Sequence, residues 1–398
     1  MQLGILRSFD SSEVSSSNSS TYSHRKWQGL FCHYNTANKL RSSPNRKSWR
    51  NRFLKVLSIL LSLGVLATLI WLILLLTIPR HHQPKAPPSG INSVVNNWLT
   101  PTDSWTLLVP WNPDFTRDIT PLACHSHNDY FRSVPLFEAL AAGCTSVEAD
   151  IWLGDTSPTS DELQVGHTAR SLQHDRTLQS LYIQPVITML ENQNANSMTQ
   201  GAKPDGFAGV FQSSPNTTLT ILLDFKSNGS KLWPYVIQEL EVLRERKWLT
   251  HWNSSTNNIT WAPVIIVASG DAPFDLLISN TTYRDIFYDA PLDDISNPKY
   301  NSSNSYYASV SMSHTLGKLW LWRFSSAQIS KIRGQIAAAS QKGLKARYWD
   351  APSWPVSLRE YIWGVLVEEG VGLLNVDVFS GTLFYPLVTT FGDNRLRW

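Results

Sequence analysis

Apolar positions divide the chain into three regimes. From Val56 to Ile78 it reads VLSILLSLGVLATLIWLILLLTI, 23 residues without a charge. At 1.5 Å per residue such a helix crosses a hydrocarbon core of roughly 30 Å. A single transmembrane helix is predicted over 53–78. A secretory signal peptide would have a shorter apolar region nearer the N-terminus, whereas a long polar stretch precedes this one. That stretch, residues 1–52, is rich in Ser, Asn and basic groups around SSEVSSSNSS and predicts a disordered tail. Residues 79–117, with Pro79, Pro84, Pro87 and Pro88, predict a stiff stalk and linker.

Beyond residue 118, short apolar runs alternate with helical periodicity. Candidate strands fall at 121–125, 145–152, 218–226, 263–269, 286–290, 307–313, 345–350 and 371–377. Between them, Ser133 can cap a helix over 134–142, and Leu232, Val236, Leu240 and Leu243 follow the helical period within 231–248. Ser326 can cap the helix carrying Ile329, Ile332, Ile336 and Ala339, and Ser357 with Glu360 forms a capping-box pattern. Strands alternating with helices argue for a parallel sheet, and eight of them predict an α/β fold of the (β/α)8 TIM type over 118–398. An open doubly wound sheet would carry a Gly-rich phosphate turn after its first strand, where ACHSHND has none.

Charge then orients the span. Residues 1–55 hold ten Lys or Arg against two acids, so the overall +3 hides a basic tail and an acidic remainder. Basic residues crowd the N-terminal flank, which makes the N-terminus cytosolic and the protein type II, with its large domain luminal or extracellular. Sequons at Asn216, Asn228, Asn253, Asn258, Asn280 and Asn301 fit a glycosylated compartment of the secretory pathway. Contact with anionic cytoplasmic lipid accounts for the tail more simply than nucleic acid does, and no protein partner is indicated. Cys124 falls at the end of the first strand and Cys144 at the entrance of the second, so both are predicted to be unpaired.

The chemistry concentrates at strand ends. Glu148 and Asp150 in VEADIW are spaced i, i+2 and so point to one side of a strand. Two ionised groups in a barrel interior repel unless a cation joins them, and hard divalent ions such as Mg2+ or Ca2+ prefer oxygen ligands. Asp224 and Lys226 in LLDFK repeat the spacing on the third strand, adding a third carboxylate for the cation and a lysine for phosphate. His125 in ACHSHNDY ends the first strand, and His167 ends the short run ELQVGH. They are the acid–base candidates. His127, Asn128 and His174 take second rank.

In order along the chain, His125, Glu148, Asp150, His167, Asp224 and Lys226 resemble the pattern of the glycerophosphodiester phosphodiesterase and phospholipase-C-like barrel superfamily. HSHNDY, VEADIW and VGH are similar to its fungal branch, the altered inheritance of mitochondria protein six family, over roughly residues 118 to 398. Spider-type sphingomyelinase D is a more distant likeness. The resemblance implies metal-assisted phosphodiester cleavage by a histidine pair, on a lipid or glycerophosphodiester substrate. The common H-R-G turn and P-E-N-T motif are absent, and Asp224 stands where bacterial members have Glu. Two other readings compete: an H-x-H metallohydrolase of amidohydrolase type, which lacks histidines on the middle strands, and a catalytically silent membrane-tethered scaffold. Trp320, Trp322, Trp349 and Trp354 read either as core or as the lining of an apolar mouth.

Overall fold

A computed structural model describes residues 46–81, 115–154, 162–199 and 208–377. The first stretch is one helix, α1 (Arg46–His81), which extends beyond the predicted span at both ends. It is long and apolar enough to cross a membrane. Residues 1–45, most of the expected stalk and the chain after 377 lie outside the described residues.

The second unit is a parallel barrel. Its strands are β1 (Leu122–Ser126), β2 (Cys144–Leu153), β3 (Leu219–Phe225), β4 (Val264–Gly270), β5 (Ile286–Pro291), β6 (Ser305–Ser311), β7 (Lys345–Trp349) and β8 (Leu374–Val376). All eight predicted strands are present. The hydrogen-bonded order runs β7-β6-β5-β4-β3-β2-β1-β8, and a parallel bridge from Arg347 to Leu373 brings the first and last members together. Outward positions such as Val147, Ala149 and Ile151 on β2 are buried. Inward positions are unusually polar: Ser146, Glu148, Asp150, Asp289, Arg347 and Asn375 stand where barrels normally stack Val, Ile and Leu.

Several predicted boundaries shift for local reasons. Ser133 caps nothing; Pro135 disfavours helix at the residue before it, and α2 (Phe137–Ala141) starts after Leu136, whose amide is held by Asp129. A π-turn at Gln179–Ile183 leads into α3 (Gln184–Thr199), a largely polar helix with little periodicity to reveal it. The 231–248 pattern breaks at Leu240 into α4 (Gly229–Glu239), capped by Asn228, and the short helix Glu241–Glu245. Ser325, one residue before the predicted cap, makes a capping box with Gln328 for α5 (Ser326–Gln341). Pro355 rather than Ser357 begins α6 (Val356–Glu368).

The two barrel cysteines are joined, contrary to expectation, with Cα atoms 4.7 Å apart. Leu122 pairs with Cys144 but His125 pairs with Ser146, so three steps along β1 match two along β2. This bulge draws Cys124 back beside Cys144, within bridging range.

Candidate active site

Because all eight strands are parallel, their C-terminal ends share one mouth, and the polar motifs collect there. Glu148, Asp150 and Asp224 each offer an oxygen, and the three oxygens lie within 4.8 Å of one another. Asp150 and Asp224 are register partners on β2 and β3, and Glu148 sits two residues before Asp150 on the same face. Lys226 binds Asp224 and lies 3.1 Å from Asp150 Oδ2. Burial and the charge of Glu148 push the Asp150 carboxyl up to about 6, although Tyr130 and Lys226 pull it the other way. Its Oδ1 is buried with no hydrogen-bond partner. One ammonium against three clustered carboxylates leaves negative charge uncompensated, and hard oxygen donors with an unused lone pair fit a divalent cation such as Mg2+ or Ca2+.

The histidines have unequal access. His125 is completely buried, with Nδ1 2.7 Å from Ser146 Oγ and Nε2 3.2 Å from Glu148 Oε2. Tyr307 donates to the same Ser146 hydroxyl at 3.0 Å. One tautomer satisfies the whole chain: Tyr307 to Ser146, Ser146 to His125 Nδ1, and His125 Nε2–H to Glu148. Burial, reinforced by the Arg347 charge, lowers His125 to about 4, so it stays neutral. Burial opposes ionisation of Glu148 too, but the His125 hydrogen bond and the nearby cationic groups hold it well below the usual carboxylate range.

His127 instead faces the mouth with about a fifth of its side chain exposed; its Nδ1 lies 2.5 Å from Asp377 Oδ1 and its Nε2 3.7 Å from Glu148. Burial alone would lower its pKa, yet Asp377 and Glu148 together raise it. His167 is half exposed, with Nδ1 3.4 Å from Asp150 Oδ2. His174 lies exposed in a turn beyond the short strand Leu163–Val165.

Asn128 takes a left-handed conformation, φ 48°, so that its amide points at Glu148 Oε2 at 3.2 Å. Asp129 turns away and accepts from Ser126, Leu136 and Tyr182, fixing the turn. Tyr130 was not among the candidates. Its hydroxyl lies 2.6 Å from both Asn128 Oδ1 and Asp150 Oδ2, and 3.0 Å from His167 Nδ1. It was legible only as the last residue of the HSHNDY motif. Arg347 also escaped the sequence reading; buried on β7, it binds Ser309, Asn375 and Asp289 inside the barrel.

Residues 113–289, ending within β5, match the AIM6-like phosphodiesterase domain. "Altered inheritance of mitochondria protein 6 homolog" of Arthroderma benhamiae is 36% identical over 301 residues, covering 73% of this chain and 92% of that protein. "Altered inheritance of mitochondria protein 6" of Lachancea thermotolerans is 36% identical over 278 residues, 64% of this chain and 63% of its own length. The Saccharomyces cerevisiae protein of that name is 35% identical over 282 residues, 66% of this chain and 70% of its own. No solved structure matches. With a nearly closed barrel, the expected order of motifs and a relative aligned over almost its whole length, the chain belongs to the altered inheritance of mitochondria protein 6 family of AIM6-like phosphodiesterase domains.

Proposed function

We propose that the chain is a membrane-anchored phosphoric diester hydrolase acting on a glycerophosphodiester or phospholipid-type substrate. The observation that carries this reading is the convergence of Glu148, Asp150 and Asp224 beside two accessible histidines and Lys226. Glu148, Asp150 and Asp224 would hold a divalent cation, Mg2+ or Ca2+, which when bound offsets charge on phosphoryl oxygens. Lys226 supports the same oxygens. His127 and His167 form the acid–base pair: one takes the proton from an attacking hydroxyl, on water or on the substrate, and the other protonates the leaving oxygen as its bond to phosphorus breaks. His125, closed off from solvent, orients Glu148 and is a positioning residue rather than a proton carrier. Asp377 and Tyr130 orient His127 and His167 respectively.

The test is hydrolysis by the full chain in detergent of glycerophosphodiesters and lysophospholipids, with Mg2+ or Ca2+ and then with chelator. Expected is release of the alcohol product, abolished by chelator and by Glu148→Ala. Activity indifferent to both would eliminate the cation, and no hydrolysis of any phosphodiester would favour the silent scaffold.

A further inference from the structure

The connection from β6 to α5 carries a feature that the reaction does not use. Residues Trp320 to Arg323 close a tight turn in which the Arg323 amide donates to the Trp320 carbonyl at 3.0 Å. Its central residues, Leu321 and Trp322, have φ of 47° and 60°. Positive φ at both positions is the type I′ pattern, which favours Asn and Gly because larger side chains crowd the backbone there. Here those positions carry Leu and Trp. Trp320 is 82% exposed, Leu321 80% and Trp322 52%, so solvent offers no packing to compensate the strain.

The turn is not a loose tip. Gln328 on α5 donates to the carbonyls of Leu316 and Lys318, Lys331 donates to that of Thr315, and the Phe324 amide donates to the Tyr361 hydroxyl. A firmly based loop thus projects three apolar side chains from the mouth-side end of the barrel. Trp349, the last residue of β7, and Trp354, on the connection after it, are also exposed, as is Phe131 after β1. These tryptophans therefore belong neither to the core nor to an enclosed pocket.

We propose that this turn seats the barrel mouth on a phospholipid surface, with Trp320, Leu321 and Trp322 entering the interface. Indole rings, apolar with one polar N–H, favour the boundary between headgroups and acyl chains. Charge favours a lipid partner: residues 312–325 include exposed Lys318 and Arg323 and no acid, and the nearby Asp350 is engaged by the hydroxyls of Ser311 and Ser313 at the base of the connection, so two cations flank the apolar tip. Such docking would deliver a lipid phosphodiester to the side of the barrel holding Glu148 and His127. The inference draws on the membrane-anchor reading for its setting, but the experiment separates the two.

The full chain carrying Cys32→Ser and Leu321→Cys is labelled at residue 321 with a nitrobenzoxadiazole dye and incorporated into phosphatidylcholine–phosphatidylserine vesicles whose acyl chains are brominated. A label at Gln341→Cys, exposed at the opposite end of the barrel, is the reference. The dye at 321 is expected to lose fluorescence to the brominated chains and to be protected from aqueous iodide. Adding Trp320→Ser and Trp322→Ser should return it to the reference. A dye at 321 that iodide reaches as easily as the dye at 341 would overturn the proposal. So would one shielded from both quenchers, which would indicate a protein cover. Extraction by alkaline carbonate reports separately on α1. If the chain is extracted, the anchor reading fails, while quenching at 321 with vesicles present still decides the docking.

Discussion

At the scale of single residues, two histidines two positions apart have opposite surroundings because a strand ends between them. His125 is still on β1 and points into the barrel, where Ser146 and Glu148 use both ring nitrogens. His127 lies past the strand, and Asp377 holds it at the mouth. Replacing His127 by Ala should lower kcat by about 10²–10⁴-fold, the usual worth of an acid–base group, with little change in melting temperature. Replacing His125 by Asn should act chiefly on stability, costing on the order of 1–3 kcal/mol through the broken buried chain from Tyr307 to Glu148. Steady-state kinetics beside thermal unfolding separates the roles; equal losses of kcat in both variants, with both proteins folded, would refute the distinction. The spacing H-x-H could not disclose this division, since it depends on where β1 stops to within one residue.

At the scale of elements, all eight strands were legible from apolar runs bounded by turn residues, and their order around the barrel followed from the alternation with helices. What alternation does not encode is register. Cys124 and Cys144 seemed to lie at opposite ends of neighbouring strands, yet a one-residue bulge between Leu122 and His125 brings them together. Denaturation should therefore expose only the Cys32 thiol. Cys124→Ala with Cys144→Ala should destabilise the barrel by roughly 3 kcal/mol, as expected for closing a loop of this length, and chemical denaturation measures it. The polar interior was hidden for a related reason. Ser146, Tyr307 and Arg347 look like ordinary strand residues until neighbouring strands place them in one layer. Gly270 is another such case: it ends β4 with φ +67°, and a Cβ there would come within 2.0 Å of Asp224 Oδ1. Gly270→Ala should strain the backbone by about 1–2 kcal/mol and displace Asp224. Activity should then fall further than the loss of stability explains, and unaltered kinetics would show that Asp224 need not hold its place.

At the scale of the whole molecule, orientation rests on charge. If residues 56–78 span a membrane, the basic excess that precedes them opposes transfer of that side, and the barrel is expected on the far side. The sequons speak less clearly than their number implies. Asn253, Asn280 and Asn301 each accept a hydrogen bond from the hydroxyl two residues on, at 2.7, 2.9 and 2.7 Å, so Asn-x-Ser/Thr is also the chemistry of these turns. The Asn228 side chain caps α4 by accepting from the Lys231 amide, whereas Asn216 and Asn258 are exposed and outside these Asn-hydroxyl turns, which makes them the better acceptors. In sealed microsomes, protease should remove the N-terminal tail and leave the barrel intact. Endoglycosidase should increase the mobility of the protected fragment, by an amount reduced by Asn216→Gln and Asn258→Gln. A barrel digested without detergent, with no mobility change, would reverse the topology and move the catalytic mouth to the cytosolic side.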